Sequence, residues 1–342
     1  MKKYTYHVLF TLILCITFTN IYAKKKQDIT AEEKGLAQID RKSAEAFVRF
    51  LASDELQGRE AGWQGGQIAG NYIASLLQLW GIKPLFGDSY FQPFEAYRVE
   101  RQKKGKLQVH PDSIASIKKQ GVYQKYDMRN VLAKIEGKKK DEIVIIGAHY
   151  DHLGYDPMLE GDKIYNGADD NASGVSAVLQ IARSFLATGQ QPERTVIFAF
   201  WDGEEKGLLG SKYFAQTFPQ INQVKGYLNF DMIGRNNDES RPWHVVYFFT
   251  KSKSAFGEWL KKDIEKYNLN LQPDYRAWDN PVGGSDNGTF ARLNIPIMWY
   301  HTDWHPDYHL PGDEADKINW DKLVEITKTS FLGLWKMANL SF

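Results

Sequence analysis

Cysteine is almost absent from this sequence, since Cys15 is the only one in 342 residues. A lone cysteine rules out an internal disulfide framework and a metal site made of several thiolates. An excess of one charge is missing too, with 43 lysines and arginines against 42 aspartates and glutamates. We therefore expect neither a nucleic-acid partner nor binding to a charged membrane surface. Any metal ion must be held by histidine, aspartate and glutamate side chains.

The most apolar stretch, residues 8–18, is too short for a membrane-spanning helix. It follows a Lys-Lys start and precedes Ala23, a small residue suited to cleavage. This arrangement is typical of a secretory signal. We predict a signal peptide over residues 1–23 and one globular domain over residues 24–342. The mature protein is expected in the periplasm or outside the cell, without stable membrane insertion.

Hydrophobic patterning predicts the fold. Residues 30–82 show the three- and four-residue apolar spacings of helices, interrupted by the loop "LASDELQGREAG". From residue 130 onward, helical stretches alternate with compact apolar runs typical of buried strands. These runs are "NVLAKIEG", "EIVIIGAHYD", "RTVIFAFWD", "GYLNFDMIG", "WHVVYFFT" and "IPIMWYHT". The alternation predicts an α/β fold with a mixed, largely parallel central β-sheet and helices on both faces. Residues 86–126 show no clear pattern.

Polar side chains follow these runs, where the carboxyl ends of parallel strands commonly form ligand sites. His149 and Asp151 end one run, and their spacing places both on one strand face, as for a ligand imidazole beside an orienting carboxylate. Asp169 and Asp170 lie on the next loop. Taken alone, each pair also has a structural explanation. The histidine could be a hydrogen-bonded core residue, and the two aspartates could belong to a helix-capping turn.

Further acids and histidines follow the later runs. Glu204 and Glu205 come just after "VIFAFWDG", although acids also favour the start of a helix. Asp231 lies between "YLNF" and "MIG", an apolar setting in which an unpaired carboxylate is costly. Three histidines crowd into the segment after the last run: His301, His305 and His309. Histidines and carboxylates at five strand ends fit the ligands of a zinc-type site better than they fit chance surface chemistry.

Five motifs carry a family resemblance. They are "GAHYDHLG", "GADDNASG", "WDGEEKGLLGS", "NFDMIG" and "DYHLPGDEADKI". In this order they closely resemble the M28 family of co-catalytic zinc exopeptidases, over about residues 130–320. The segment "LASDELQGREAG" is similar more weakly. Members of the family often carry a protease-associated insert, for which this chain is too short.

The resemblance implies two zinc ions and a role for each ligand. Asp170 would bridge the two metals. His149 and Asp231 would complete one metal site, and Glu205 and His309 would complete the other. The peptide bond that follows the bridging aspartate would be cis. Other divalent metals could replace zinc in such a site.

The resemblance also implies the catalytic groups. Glu204 would be the general base, which takes a proton from the metal-activated water and later returns it to the leaving amine. Asp151 would hold His149, and Tyr308 would help to stabilise the tetrahedral oxyanion. His301 is the alternative to the later histidine of "DYHLPGD" as the last ligand.

These residues together predict a zinc-dependent aminopeptidase that removes N-terminal residues from peptides with a free N-terminus. The aromatic content favours apolar N-terminal residues. Two alternatives stay open: a glutaminyl cyclase, which shares the fold but uses one zinc, and a non-catalytic binding domain. The motifs "DDNASG" and "GEEKGLLGS" favour the peptidase, as does the presence of a suitable residue at every ligand position.

Overall fold

A nine-stranded sheet forms the centre of the computed structural model, which describes residues 29–99, 106–279 and 283–342. The strands run in the order β1-β3-β7-β4-β8-β11-β9-β10, and β2 pairs with β3. Their bounds are β1 Lys83–Pro84, β2 Phe91–Val99, β3 Tyr123–Ile135, β4 Lys139–His149, β7 Arg194–Trp201, β8 Val224–Phe230, β9 His244–Phe249, β10 Gln272–Ala277 and β11 Ile297–His301. A separate small sheet pairs β5 (Gly154–Tyr155) with β6 (Ile164–Tyr165).

Strand direction agrees with the predicted mixed sheet. The four central strands β7, β4, β8 and β11 are parallel to their neighbours within this group. Strand β3 is antiparallel to β7, and β9 is antiparallel to β11. All six apolar runs predicted as strands overlap strands of this sheet, so the predicted α/β fold is confirmed. Because the central strands are parallel, their carboxyl ends meet at one edge of the sheet.

Helices cover both faces of the sheet. Their bounds are α1 Ala31–Leu36, α2 Arg41–Leu51, α3 Gln64–Leu79, α4 Pro111–Lys119, α5 Gly174–Ala187, α6 Leu209–Thr217, α7 Ala255–Tyr267, α8 Asn287–Ala291 and α9 Trp320–Asn339. Alternate residues of β4 point to opposite faces. Val144 packs in the core that contains Phe185 of α5, whereas Ile145 packs in the core that contains Phe214 of α6 and Phe290 of α8. The sheet therefore separates two apolar cores.

Strands β2 and β10 of the sheet were not expected from the sequence, and neither was the two-residue strand β1. The stretch 86–126, which showed no clear pattern, contains β2 and α4. Strand β2 pairs with β3 along its whole length, but its exposed and buried positions do not alternate regularly. Strand β10 lies at the sheet edge and contains no fully buried residue. Both strands lack the continuous apolar run on which the prediction of strands depended.

Ala31–Phe342 forms one compact unit. The predicted signal at residues 1–23 and Cys15 lie outside the residues that the structure describes. Within the described ranges, no helix is both long and apolar enough to span a bilayer.

Candidate metal centre

His149, the last residue of β4, lies at the centre of the site and is 1% exposed. Its Nδ1 donates a hydrogen bond to the backbone carbonyl of Asp151 (3.1 Å). A carbonyl only accepts, so Nδ1 carries a proton, and Nε2 is the ring nitrogen that is left to bind a metal ion. Nε2 lies 3.2 Å from Oδ1 of Asp170 and 3.6 Å from Oδ1 of Asp231. The imidazole is thus oriented as a ligand toward two carboxylates.

Asp170 stands between two histidines. Its Oδ1 faces His149, whereas its Oδ2 lies 3.2 Å from Nε2 of His309. The peptide bond between Asp170 and Asn171 is cis, as the family resemblance implied. The Asn171 side chain donates to the carbonyl of Phe230 (2.9 Å), which ties the loop to the end of β8. With one oxygen facing each histidine, the Asp170 carboxylate is placed where it could bridge two metal ions.

His309 completes the second side of the site. Its Nε2 lies 3.3 Å from Oε2 of Glu205, which follows β7. The alternative ligand, His301, ends β11 and directs Nδ1 to the backbone carbonyl of Asp231 (2.6 Å). The structure therefore brings His309, and not His301, to the carboxylate of Asp170.

Distances between the ligand atoms test whether metal ions fit. Two tetrahedral ligands at about 2.0–2.1 Å from one metal lie about 3.4 Å apart. The two contacts of His149 measure 3.2 and 3.6 Å, and the two of His309 measure 3.2 and 3.3 Å. Both sets match the separation expected for ligands that share an ion. Borderline nitrogen and oxygen donors without sulfur suit zinc and similar divalent metals.

Asp151 makes a different contact from the one predicted. Its carboxylate lies 3.8 Å from Nδ1 of His149, which bonds to the backbone carbonyl of the same residue instead. The carboxylate oxygens accept the backbone N–H groups of Glu204 (3.0 Å) and Glu205 (3.4 Å). Asp151 therefore orients His149 through its main chain and fixes the glutamate turn through its side chain.

Glu204 lies beside a cavity of about 50 Å³ whose wall includes four of the predicted ligands and several aromatic side chains. Burial raises the pKa of Glu204 well above its ordinary value; His149 opposes this shift, and the carboxylates of Asp231 and Glu205 add to it. A carboxyl with a raised pKa is suited to take up a proton and release it near neutral pH. The cavity wall consists of His149, Asp170, Glu204, Asp231, Met232, Gly284, Trp299, His301, Trp304, Tyr308 and His309.

Tyr308 also faces this cavity. Its ring stacks on His309 (centroids 3.8 Å apart) and meets Trp304 edge-on (4.4 Å). Burial and then the carboxylates of Asp170 and Glu205 raise the pKa of the phenol, so it stays protonated. A protonated phenol beside the ligands can donate a hydrogen bond to an oxyanion.

The sequence around this site matches a known peptidase family. A sequence profile of peptidase family M28 matches residues 130–332. The chain belongs to peptidase family M28. A probable leucine aminopeptidase of Arthroderma otae is 25% identical to this M28 chain over 273 residues, which make up 77% of this chain and 72% of the relative. The chain spans only 50%, 34% and 43% of the length of three other curated relatives.

Solved structures share the M28 fold. The LapA aminopeptidase of Legionella pneumophila is 22% identical, with a TM-score of 0.67 over 93% of this chain and 76% of that one. A glutaminyl cyclase of Porphyromonas gingivalis is 17% identical, with a TM-score of 0.62 over 87% of this chain and 99% of that one. These likenesses concern the fold, because the sequence identities are low.

Arg59 donates hydrogen bonds to the backbone around the candidate site of this M28 chain and was not predicted from the sequence. It ends a short 3₁₀ helix within "LASDELQGREAG" and is 1% exposed. Its guanidinium donates to carbonyl oxygens on three segments that surround the ligands. The acceptors are Leu51, Tyr150, Asn166, Gly167 and Asp170. The backbone of the loop that carries Asp170 is therefore held by a buried cation, a role that no motif spacing indicates.

Asp169 lies next to the bridging residue but points away from it. Its Oδ1 accepts the backbone N–H of Gly234 (2.5 Å), and its Oδ2 lies 3.5 Å from Nε2 of His305. Asp313 accepts the backbone N–H groups of Asp169 (3.0 Å) and Asp170 (3.0 Å). The Asp169 carboxylate thus points away from the proposed ligands of this M28 member.

His152 is a second residue that sequence reasoning missed. It follows Asp151 directly in "HYDHLG", and its Nδ1 lies 2.8 Å from Oε1 of Glu205. The available signal was the second histidine of that motif, which the resemblance had left without a role.

Proposed function

We propose that this chain is a zinc-dependent aminopeptidase that removes single N-terminal residues from peptides. The observation that carries the proposal is the position of Asp170 between two histidines, each 3.2 Å from a different carboxylate oxygen. Two ligand sets that share one carboxylate are the arrangement of hydrolytic two-metal sites. The similarity to a probable leucine aminopeptidase of Arthroderma otae supports the choice of substrate class.

Five residues would hold the two ions. His149 and Asp231 would hold one ion, Glu205 and His309 would hold the other, and Asp170 would contribute to both sets. When bound, zinc supplies Lewis acidity to the attacking water and to the peptide carbonyl. The short distances from the ligand nitrogens to the carboxylate oxygens support this grouping.

Glu204 is the proton carrier. It lines the cavity beside the ligands, and the backbone N–H of Glu204 is fixed by Asp151 (3.0 Å). Its carboxylate takes the proton of the attacking water, and the resulting carboxylic acid donates that proton to the leaving amine nitrogen. The raised pKa, caused first by burial, makes both halves of this transfer accessible to one side chain.

The cavity also supports selection of a chain end. The carboxylates of Asp170, Glu204 and Asp231 line it, so a substrate ammonium group can form charge-assisted hydrogen bonds there. An acetylated end carries no charge and needs extra room. Tyr308 donates its phenolic O–H to the oxygen of the tetrahedral intermediate. Met232 and the aromatic rings of the wall favour apolar side chains.

The test is a panel of peptides assayed on zinc-loaded protein. We expect release of single residues from peptides with free N-termini and a loss of at least about 10²-fold in rate for their N-acetylated forms. A peptide that begins with glutamine should yield free glutamine. Equal cleavage of acetylated peptides would contradict the proposal, and a pyroglutamyl product would indicate glutaminyl cyclase activity. Export through residues 1–23 is a separate proposal, tested by the N-terminal sequence of the mature protein.

A further inference from the structure

We propose that His152 is a positioning residue that holds one oxygen of Glu205, so that the other oxygen is presented to the second metal. The inference rests on the proposed two-metal function and assigns a role to a residue outside the five ligands. It also predicts that the two metal sites respond differently to the loss of one imidazole.

The ring of His152 is fixed by its surroundings. The residue is 1% exposed, and its backbone N–H donates to the carbonyl of Arg59 (3.2 Å). One side of the ring lies against Gly167, in the loop that leads to the bridging aspartate. A Cβ atom at Gly167 would lie 2.6 Å from Cδ2 of His152, too close for any other residue there. The imidazole therefore has little freedom to turn away from its partner.

The distance from His152 to Glu205 shows whether His152 forms a hydrogen bond to Glu205 or binds a metal ion together with it. His152, Asp170 and Glu205 present possible ligand atoms within 4.8 Å of one another, so His152 is a formal candidate ligand. However, Nδ1 lies 2.8 Å from Oε1 of Glu205 and 3.9 Å from Oδ2 of Asp170. The first distance fits a charge-assisted hydrogen bond of about 2.7–2.9 Å. Neither fits two tetrahedral ligands of one ion, which lie about 3.4 Å apart.

The two oxygens of Glu205 therefore have different partners. Oε1 faces Nδ1 of His152 at 2.8 Å, and Oε2 faces Nε2 of His309 at 3.3 Å. The second distance matches a pair of ligands that share an ion. A hydrogen bond that Oε1 accepts from His152 keeps the carboxylate from rotating and leaves Oε2 as the one oxygen of Glu205 free to bind the metal ion. His149 has no such contact with Glu205 and is oriented instead by the carbonyl of Asp151.

Stepwise zinc affinity tests the inference. Two zinc dissociation constants would be measured by competition with a chromophoric chelator for the wild type, His152→Ala and His152→Asn. We expect His152→Ala to lower the affinity for one zinc ion by about 10 to 100-fold and the affinity for the other by less than about 3-fold. Asn places an N–H donor near the position of Nδ1, so His152→Asn should recover most of the lost affinity.

The control is His244→Ala, which removes another buried histidine, one whose Nε2 lies 3.3 Å from Asp303. It should leave both zinc affinities close to those of the wild type. Unchanged affinities in His152→Ala, or equal weakening of both ions, would overturn the inference while the two-metal function stands. If His152→Asn binds zinc as weakly as His152→Ala, and X-ray absorption shows one fewer nitrogen ligand in the variants than in the wild type, His152 is a ligand and the inference is wrong. A wild type that binds fewer than two zinc ions would defeat the proposed function and the inference with it.

Discussion

The carboxylate of Asp151 accepts the backbone N–H groups of both Glu204 (3.0 Å) and Glu205 (3.4 Å). One side chain at the end of β4 thus fixes the turn that carries the proposed base and a proposed ligand at the end of β7. Burial raises the pKa of Asp151 well above its ordinary value, and the charge of His149 opposes that shift. The geometry of two neighbouring strand ends depends on this contact.

The first prediction concerns Asp151→Asn. The amide keeps one acceptor but turns an N–H group toward one of the two backbone donors, so the glutamate turn must shift. We expect zinc affinity to fall by about 10 to 100-fold. Chelator competition measures it, with Asp274→Asn on the edge strand β10 as the control. Wild-type affinity in Asp151→Asn would show that the turn holds its shape without the second acceptor.

The second prediction separates proton transfer from metal binding. Glu204→Gln removes the proton acceptor but none of the five ligands, so both zinc ions should stay bound. Turnover should fall by at least about 10²-fold. Elemental analysis and steady-state kinetics on an aminoacyl p-nitroanilide measure the two quantities. Loss of one zinc ion in the variant would instead make Glu204 a ligand.

The third prediction concerns the buried cation. Arg59→Lys keeps a positive charge but cannot reach all of the carbonyl oxygens that Arg59 now contacts, so buried acceptors lose their donor. The free energy of unfolding should fall by about 2–4 kcal/mol. Urea denaturation of the metal-free protein measures it. The exposed Arg49 provides the control, since Arg49→Lys should change stability by less than about 0.5 kcal/mol. Equal stability of the two variants would contradict the role given to Arg59.

The fourth prediction concerns the wall of the cavity. Trp304 is 61% exposed and meets the ring of Tyr308, so its loss removes apolar wall without opening the core. Trp304→Ala should lower kcat/KM for a leucine substrate about 10-fold more than for an alanine substrate. Trp63 is 60% exposed and does not line the cavity, which makes Trp63→Ala a matched control. A uniform loss on both substrates would place Trp304 outside side-chain selection.

The fifth prediction is a pH dependence of stability. Lys322 is 1% exposed and donates to the carbonyl of Arg235 (2.6 Å), and burial lowers its pKa to about 8. The unfolded chain, with a lysine pKa of about 10.4, binds more protons between these values. Stability therefore rises with pH across this window, and below it the full penalty is present.

The measurement compares wild type with Lys322→Met by urea denaturation from pH 7 to 10.5. The stability of the wild type relative to the variant should increase by an amount on the order of 3 kcal/mol across this range. Lys328→Met, on the same helix but with a side chain that is 28% exposed, controls for general effects of alkali. A constant difference between wild type and Lys322→Met would show that Lys322 keeps its ordinary pKa in the folded protein.

The strands that end at the site could be predicted, because burial on both faces requires continuous apolar runs such as "EIVIIG" and "VIFAFW". Polar residues directly after such runs then identify the candidate ligand edge, which is why spacing and chemistry named His149 and the pair Glu204 and Glu205 as candidates. The choice of Glu205 as the ligand came from the family resemblance. The supporting residues follow no such rule. Arg59 reaches the site from a loop far away in sequence and acts on backbone carbonyls, which any residue type can supply. The contact of His152 depends on a side-chain direction that sequence does not specify.

The position of β11 in the sheet determines the order in which the protein can be completed. It lies between β8 and β9, although both are synthesised before it. Until residue 301 has been made, β8 and β9 each present an unpaired strand edge, because β11, which pairs with both edges in the finished sheet, is still missing. A chain interrupted before this point would carry aggregation-prone edges and would lack His309. Correct assembly of the sheet and completion of the proposed second metal site therefore both wait for the last quarter of the chain to be synthesised.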